Sequence, residues 1–243
     1  MLHTNTTRGW GIAIGMISIL FLMSASLVYG YTNTTWQDAY SSFFHPTSSN
    51  NHLIIRDVRL PRALIAGFIG ACLGVSGAIM QSITRNPLSS PSILGVNAGA
   101  SFFVVVGVVF LSIQSLQSYM WLSFAGATFA FLLVFILSST GREGLTPLKL
   151  TLAGSAITAL FASFTQGLLV LNETALDQVL FWLAGSVANR HLGLLFTALP
   201  YMIVALLLAF IRAKELNVLS IGDDVAVGLG QRTVWIKFFF GAC

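Results

Sequence analysis

Thr151, Ser155, Thr158, Ala162 and Thr165 recur at intervals of three or four residues, with Gln166 beside them. A helix would gather them into one polar stripe. Neutral hydroxyls and a carboxamide hold a large polar solute weakly, which suits a wall that must let its cargo pass. The same residues would also serve a helix whose hydroxyls simply bond their own carbonyls one turn back. Arg59 and Arg62 stand three apart just before a long uncharged run. Their planar forks suit paired carboxylates on a partner, although arginines at such a boundary also reach for lipid phosphate. The third set is L-N-V-L-S-I-G-D-D-V-A-V-G-L-G, Leu216 to Gly230. Asp223 and Asp224 fall where a short helix would start, and Gly222 and Gly230 bracket it. Leu219, Ile221, Val225 and Leu229 are too few for a core of their own.

Other chemistries are absent from the sequence. There is no G-x-x-x-x-G-K-[ST] loop to cradle a nucleotide. No His, Cys or carboxylate pair has metal-ligand spacing, and no Ser/His/Asp set suggests a nucleophile. His3, His45, His52 and His191 sit near the ends of apolar runs and read as solvated. No enzyme activity and no cofactor are expected. Cys72 is mid-run and Cys243 is terminal, so a structural disulfide is not expected.

The elements that must carry these residues are transmembrane helices. Of the 243 residues 56% are hydrophobic and 8% charged, against about 25% charged in soluble domains, and the mean hydropathy is +0.84. The +4 net charge is therefore a matter of topology, and no basic patch points to nucleic acid. Uncharged runs predict spans over Gly9–Gln37 (apolar centre Ile12–Val28, too long for a signal-peptide core), Ala63–Thr84, Ile93–Leu111, Tyr119–Leu137, Leu150–Asn172 and His191–Ile211. Thr32 to Asn51 reads as an exposed polar loop. The 12 uncharged residues between Asp177 and Arg190 are too few to cross and predict a re-entrant or interfacial helix. A seventh span starts at Thr233 and stops at Cys243. The expectation is an all-α polytopic bundle, residues 1–243 forming one transmembrane domain of six complete spans and a truncated seventh. Gly70 and Gly74, four apart, offer a smooth face for helix packing. With the N-terminus inside, Arg8, Arg85, Arg142, Lys149, Arg212, Lys214 and Arg232 lie inside and Arg56, Arg59, Arg62 and Arg190 outside; Lys237, at the start of a span, is set aside. The outer arginine cluster runs against the positive-inside trend and asks for a reason.

Arg59-Leu60-Pro61-Arg62, Ser76-Gly77-Ala78 with Met80-Gln81, Arg85-Asn86-Pro87-Leu88 and Leu94-Gly95-Val96 occur in an order and spacing that resemble the FecCD family. The resemblance runs through Leu216–Gly230 to the last residue. FecCD proteins are permease subunits of ABC importers for ferric siderophores, haem and cobalamin. The resemblance implies a multi-pass protein of a prokaryotic cell membrane, paired with a second permease subunit (the same chain or another), an ATP-binding ABC subunit and an extracytoplasmic substrate-binding protein. It implies that Arg59 and Arg62 meet glutamates of the binding protein. It also implies that Leu219, Ile221, Gly222, Asp223, Asp224, Val225 and Leu229 belong to a coupling helix pair in a groove of the ATPase. The stripe Thr151, Ser155, Thr158, Thr165 and Gln166 would face the pathway of an alternating-access transporter. Family members have more spans than this chain, which is expected to be incomplete at its C-terminus. Siderophore iron is the commonest cargo, with cobalamin and haem as alternatives. An ion-coupled secondary transporter is a more distant reading, because such proteins place ionisable groups mid-membrane. A structural scaffold is a third.

Overall fold

The computed structural model describes residues 5–45, 47, 49–141, 145–187 and 192–242. His3, His191, Arg190, Cys243, the Arg142-Glu143 turn and the side chain of Arg8 lie outside what it describes. Among the described residues every regular element is a helix. The chain clusters into two compact units, Met1–Ala71 with Val187–Thr197, and Cys72–Ser186 with Ala198–Cys243.

In the first unit, α1 (Asn5–Val28) carries apolar side chains exposed all round, as a helix surrounded by lipid would. The segment expected to be a plain loop contains α2 (Trp36–Phe44). Thr35 and Asp38 form a reciprocal capping box at its start, a T-x-x-D pattern that was visible in the sequence. After α3 (Asn50–Leu53) the helix widens into a π-helical segment, Ile54–Arg59, and continues as α4 (Leu60–Thr84). Pro61 stands two residues after its last member, Arg59. It has no N–H for the carbonyl of Asp57 and its ring would crowd that carbonyl, which a widened turn relieves. The helix that was expected to begin near Ala63 therefore runs unbroken over Asn50–Thr84, 35 residues.

In the second unit, a 3-10 turn at Pro91–Leu94 and Gly95, at φ +69°, redirect the chain into α5 (Val96–Leu111). Next come α6 (Leu116–Ser139), α7 (Pro147–Leu171), α8 (Glu173–Leu183), α9 (Leu192–Ile211, whose residues up to Thr197 belong to the first unit), α10 (Ala213–Ile221), α11 (Asp223–Gly228) and α12 (Thr233–Ala242). Ser115, Thr146 and Asn172 cap α6, α7 and α8 with their side-chain oxygens. One buried cluster joins Ile79, Met80, Phe131, Val134, Ile157, Leu219, Ala226 and Phe240 across α4, α6, α7, α10, α11 and α12. A second joins Val104, Val105 and Val108 of α5 to Tyr119, Leu169, Ala175 and Val179. Phe102 stacks on Phe161 at 5.2 Å between α5 and α7.

Among the described residues five helices are long and apolar enough to cross a membrane: Gly9–Val28, Asn50–Thr84, Leu116–Ser139, Pro147–Leu171 and Leu192–Ile211. The expected third span is shorter. Its helix has 16 residues, about 24 Å at 1.5 Å per residue, against a hydrocarbon core of roughly 30 Å. Gly95 starts it late and Ser112, at φ +51°, ends it. The short helix between the fifth and sixth spans is α8, 11 residues. Close helix approach falls on glycines other than those expected. A Cβ on Gly70 or Gly74 would meet nothing within 4 Å among the described residues, whereas Gly99 of α5 and Gly126 of α6 lie backbone to backbone, with no room for a methyl on either.

Candidate transport and coupling surfaces

The Leu216–Gly230 segment folds as two short helices, α10 and α11, joined at Gly222. Six residues make a helix too short to persist alone, so its ends are secured by other means. At the C-terminus, Gly230 (φ +81°) donates to Val227 O and Gln231 N–H to Ala226 O, the paired bonds of a Schellman cap. Leu219 and Ala226 are fully buried and face the core. Ile221, Val225, Val227 and Leu229 are exposed, leaving an apolar edge without a partner among the described residues.

At the N-terminus, Asp223 does more than complement a helix dipole. Its Oδ2 lies 3.0 Å from Nη2 of Arg85 and accepts at 3.1 Å from Nζ of Lys237, which is 3.0 Å from Oδ1. The Lys237 ammonium also donates to the carbonyl of Leu145 at 3.2 Å. Lys237 is 4% exposed, and Asp223 and Arg85 are each about a third open. Arg85 ends α4 in the left-handed region, φ +50°, where the chain leaves the helix. The Asn86-Pro87-Leu88 turn that follows is closed by the Asn86 side chain, which accepts from Leu88 N–H. One carboxylate thus joins the end of α4, the first half of α12 and, through Lys237, the residue two before α7. Lys237, set aside in the sequence, is central here. Its signal was a lone lysine inside an apolar run, which in a membrane protein asks for a counter-ion. Asp224 is exposed.

Arg59 behaves differently from the expectation. It is 7% exposed, and its guanidinium turns into its own unit. Nη1 donates to Leu27 O, Val28 O and the Thr34 hydroxyl at 3.0, 2.6 and 2.7 Å, and Nη2 donates to Thr32 O and its hydroxyl at 2.6 and 2.8 Å. The unpaired carbonyls at the end of α1 and in the turn after it are satisfied by one cation. The π-helical register places Arg59 at the last widened residue, facing this turn. Arg56 and Arg62 are exposed, and Arg62 lines a cleft of about 430 Å³ with Tyr29, Tyr31, Thr32 and Val58. His52, expected to be solvated, is buried. Thr47 N–H donates to its Nδ1 and its Nε2 meets the Ser41 hydroxyl at 2.9 Å. With Nδ1 accepting, the proton of the neutral ring sits on Nε2, so the ring is not poised as a base toward Ser41.

The polar stripe of α7 is split. Thr165 is buried and donates to Phe161 O, and Thr158 packs against Gly95. Thr151 donates to Leu148 O and Ser155 to Thr151 O. Ser155 and Gln166 are exposed. Most hydroxyls of the stripe are therefore already bonded to their own helix, and the surface they leave open is narrower than their spacing suggested.

Comparison with known proteins agrees with this architecture. The model of the FecCD transport family matches residues 17–243. The chain belongs to the FecCD transport family, whose members are transport permeases rather than enzymes. It is 51% identical over 244 aligned residues to YfiZ of Bacillus subtilis (strain 168), named a probable siderophore transport system permease protein, covering 100% of this chain and 73% of the relative. It is 39% identical to the Fe(3+)-citrate import system permease protein YfmD of the same organism, covering 96% and 69%. It is also 39% identical to the ferric enterobactin transport system permease protein FepD of Escherichia coli (strain K12), covering 90% and 66%. A solved structure described as a metal-chelate type ABC transporter in an inward-facing conformation superposes with a TM-score of 0.76 at 28% identity, covering 96% of this chain and 72% of that one.

Proposed function

We propose that this chain is the membrane permease of a binding-protein-dependent ABC importer that carries ferric siderophores into a prokaryotic cell. Alternating access would be driven by a separate ATP-hydrolysing subunit, with the N-terminus of the permease inside. The reading is supported by the relatives' named substrates, which are iron chelates throughout. The observation that carries the coupling is the apolar edge Ile221, Val225 and Leu229, exposed on two short helices whose other face is anchored in the core. An exposed edge of this kind gains its stability from a partner groove, here that of the ATPase. Gly222 sets the angle between the helices and Asp224 rims the contact. A second permease subunit and a substrate-binding protein complete the assembly. Docking of the binding protein falls to the exposed Arg62 and Arg56 rather than to the inward-turned Arg59. The open part of the α7 stripe, Ser155 and Gln166 with Thr151 and Thr158 at its margin, faces the pathway.

Two measurements test this. Radioiron uptake is followed in liposomes holding the permease with its ATPase and binding protein, supplied with ferric citrate, a ferric hydroxamate or a ferric catecholate, with haem and cobalamin in parallel. One ferric chelate should accumulate only when ATP is present. Accumulation of haem or cobalamin instead would change the cargo, and uptake on an ion gradient without ATP would reject the mechanism. In addition, Leu229→Lys would bury an unpaired ammonium at the contact, at about 3–5 kcal/mol. The ATPase should no longer co-purify with that variant, and undiminished co-purification removes the segment as the contact.

A further inference from the structure

We infer that Asp223 is a positioning residue of the transport cycle: it latches α11 to α4, α12 and the start of α7, so that a displacement of α11 is passed to those helices in a fixed direction. The inference rests on the reading that the ATPase docks on the α10–α11 edge, and adds how that contact reaches the membrane helices.

Two kinds of contact hold α11 within its unit. Leu219 and Ala226 are buried against the core, but apolar contacts are non-directional and allow one surface to slip along another. Charge-assisted hydrogen bonds are short and oriented. Asp223 accepts one from Lys237 Nζ at Oδ2, 3.1 Å, and adds ion-pair contacts at 3.0 Å to Arg85 and, through Oδ1, to Lys237. Lys237 extends the link to the Leu145 carbonyl, 92 residues away in sequence. Three of these groups sit at helix boundaries, Arg85 just after α4, Leu145 two residues before α7 and Asp223 at the first residue of α11, while Lys237 lies within α12. Pulling α11 without pulling the three others would strip the buried Lys237 of its only carboxylate among the described residues. The latch therefore moves as one body or breaks at a high cost.

The chemistry also explains the residue types. A glutamine or asparagine at 223 fills similar space but leaves Lys237 without a counter-charge. Arg85, a third open to water, can satisfy itself if the carboxylate is lost. Lys237, nearly closed off, cannot.

The test uses the assembled transporter in liposomes and reads iron delivered per ATP hydrolysed, with radiolabelled ferric citrate, ferric hydroxamate and ferric catecholate as probes. Asp223→Asn should still co-purify with the ATPase and still hydrolyse ATP, because the Val225–Leu229 edge is intact. Iron per ATP should fall about tenfold, the scale of an ordinary coupling free energy. Asp223→Glu should recover most of the ratio. The pair Asp223→Leu with Lys237→Met removes both charges, so it should fold even if Asp223→Asn does not. A purely structural role predicts that this pair restores transport along with stability. The latch predicts wild-type melting with a ratio as low as that of Asp223→Asn. A normal ratio in the folded double variant overturns the latch while leaving ATPase docking standing. If Leu229→Lys keeps its ATPase, docking itself fails and the latch with it.

Discussion

Two clusters of buried charge can be set side by side, one in each unit, and they are built on opposite plans. In the first, Arg59 is surrounded by neutral acceptors. Three carbonyls and two hydroxyls take its protons, and no carboxylate is involved. Every acceptor belongs to residues 27–34, so the cation ties off one turn. In the second, a carboxylate is shared by two cations drawn from distant parts of the chain, and the acid is a third open to solvent. The Arg59 cluster is closed and local, the kind of contact that fixes a shape. The Asp223 cluster is long-range and charge-unbalanced, and it borders an exposed apolar edge. A charge can be buried for either purpose, and its acceptors show which.

The largest expected effect comes from opening the closed cluster. Arg59→Ala strands the acceptors at the end of α1 and should cost about 3 kcal/mol, the upper range for hydrogen bonds to a charged donor. Arg62→Ala, three residues on and exposed, should stay within about 0.5 kcal/mol. Thermal unfolding of the two variants in the same lipid reads the difference. Equal shifts would erase the distinction between the two arginines.

The open cluster should respond asymmetrically. Asp223→Ala leaves Lys237 buried and unpaired, at about 2 kcal/mol, below the cost in a fully buried pair because the acid is partly hydrated. Lys237→Met fits a similar volume, removes the charge that most needs a partner, and should be nearly neutral. If both destabilise alike, the lysine is not the strained member.

These contrasts also mark how far the sequence could be read. Helix positions were legible because charge is so scarce that uncharged runs delimit spans almost unaided. The α8 helix was legible only in part: 12 uncharged residues cannot cross, but the helix takes in Glu173 and Asp177 and ends at Leu183, halfway through that run. What was not legible was where a side chain points. Arg59 and Arg62 look equivalent at a spacing of three, and only the π-helical turn before Pro61 sends one inward. Gly70 and Gly74 show the small-residue spacing, yet the tight crossing uses Gly99 and Gly126, which lie on different helices and share no local pattern. Lys237 finds its partner 14 residues away across a turn. The short third span reflects Gly95 and Ser112, whose left-handed conformations no hydropathy pattern announces.

A smaller effect sharpens the contrast within the arginine pair itself. Arg62→Glu should slow association with the binding protein about tenfold at low salt, since exposed interface charges act mainly on encounter. The effect should shrink as salt rises, and stability should not change. Stopped-flow association at two ionic strengths measures it. An unchanged rate would leave Arg62 as a lipid anchor.

The smallest effect concerns a carboxylate that, unlike Asp223, faces no cation in a salt bridge. Asp38 closes the capping box of α2: its Oδ2 accepts from Thr35 N–H at 3.0 Å and from the Asn51 side chain at 3.1 Å. The Thr35 backbone bond, followed by the Thr35 side-chain bond, holds its pKa below the usual 3.8. For an acid depressed in the folded state, the stabilising contribution is complete above the unfolded value and disappears as pH falls through the folded one. The box should therefore be indifferent to pH from neutrality down to about 5 and should open only in stronger acid. A carboxyl carbon NMR titration of the labelled protein should place Asp38 below 3.8, and Thr35→Val, which removes the side-chain bond but keeps the backbone one, should move it part of the way back up. Asp38 titrating at the usual carboxylate value, unmoved by Thr35→Val, would mean that the box does not hold the carboxylate. In that case a neutral hydrogen-bond donor would be too weak to bias an exposed acid.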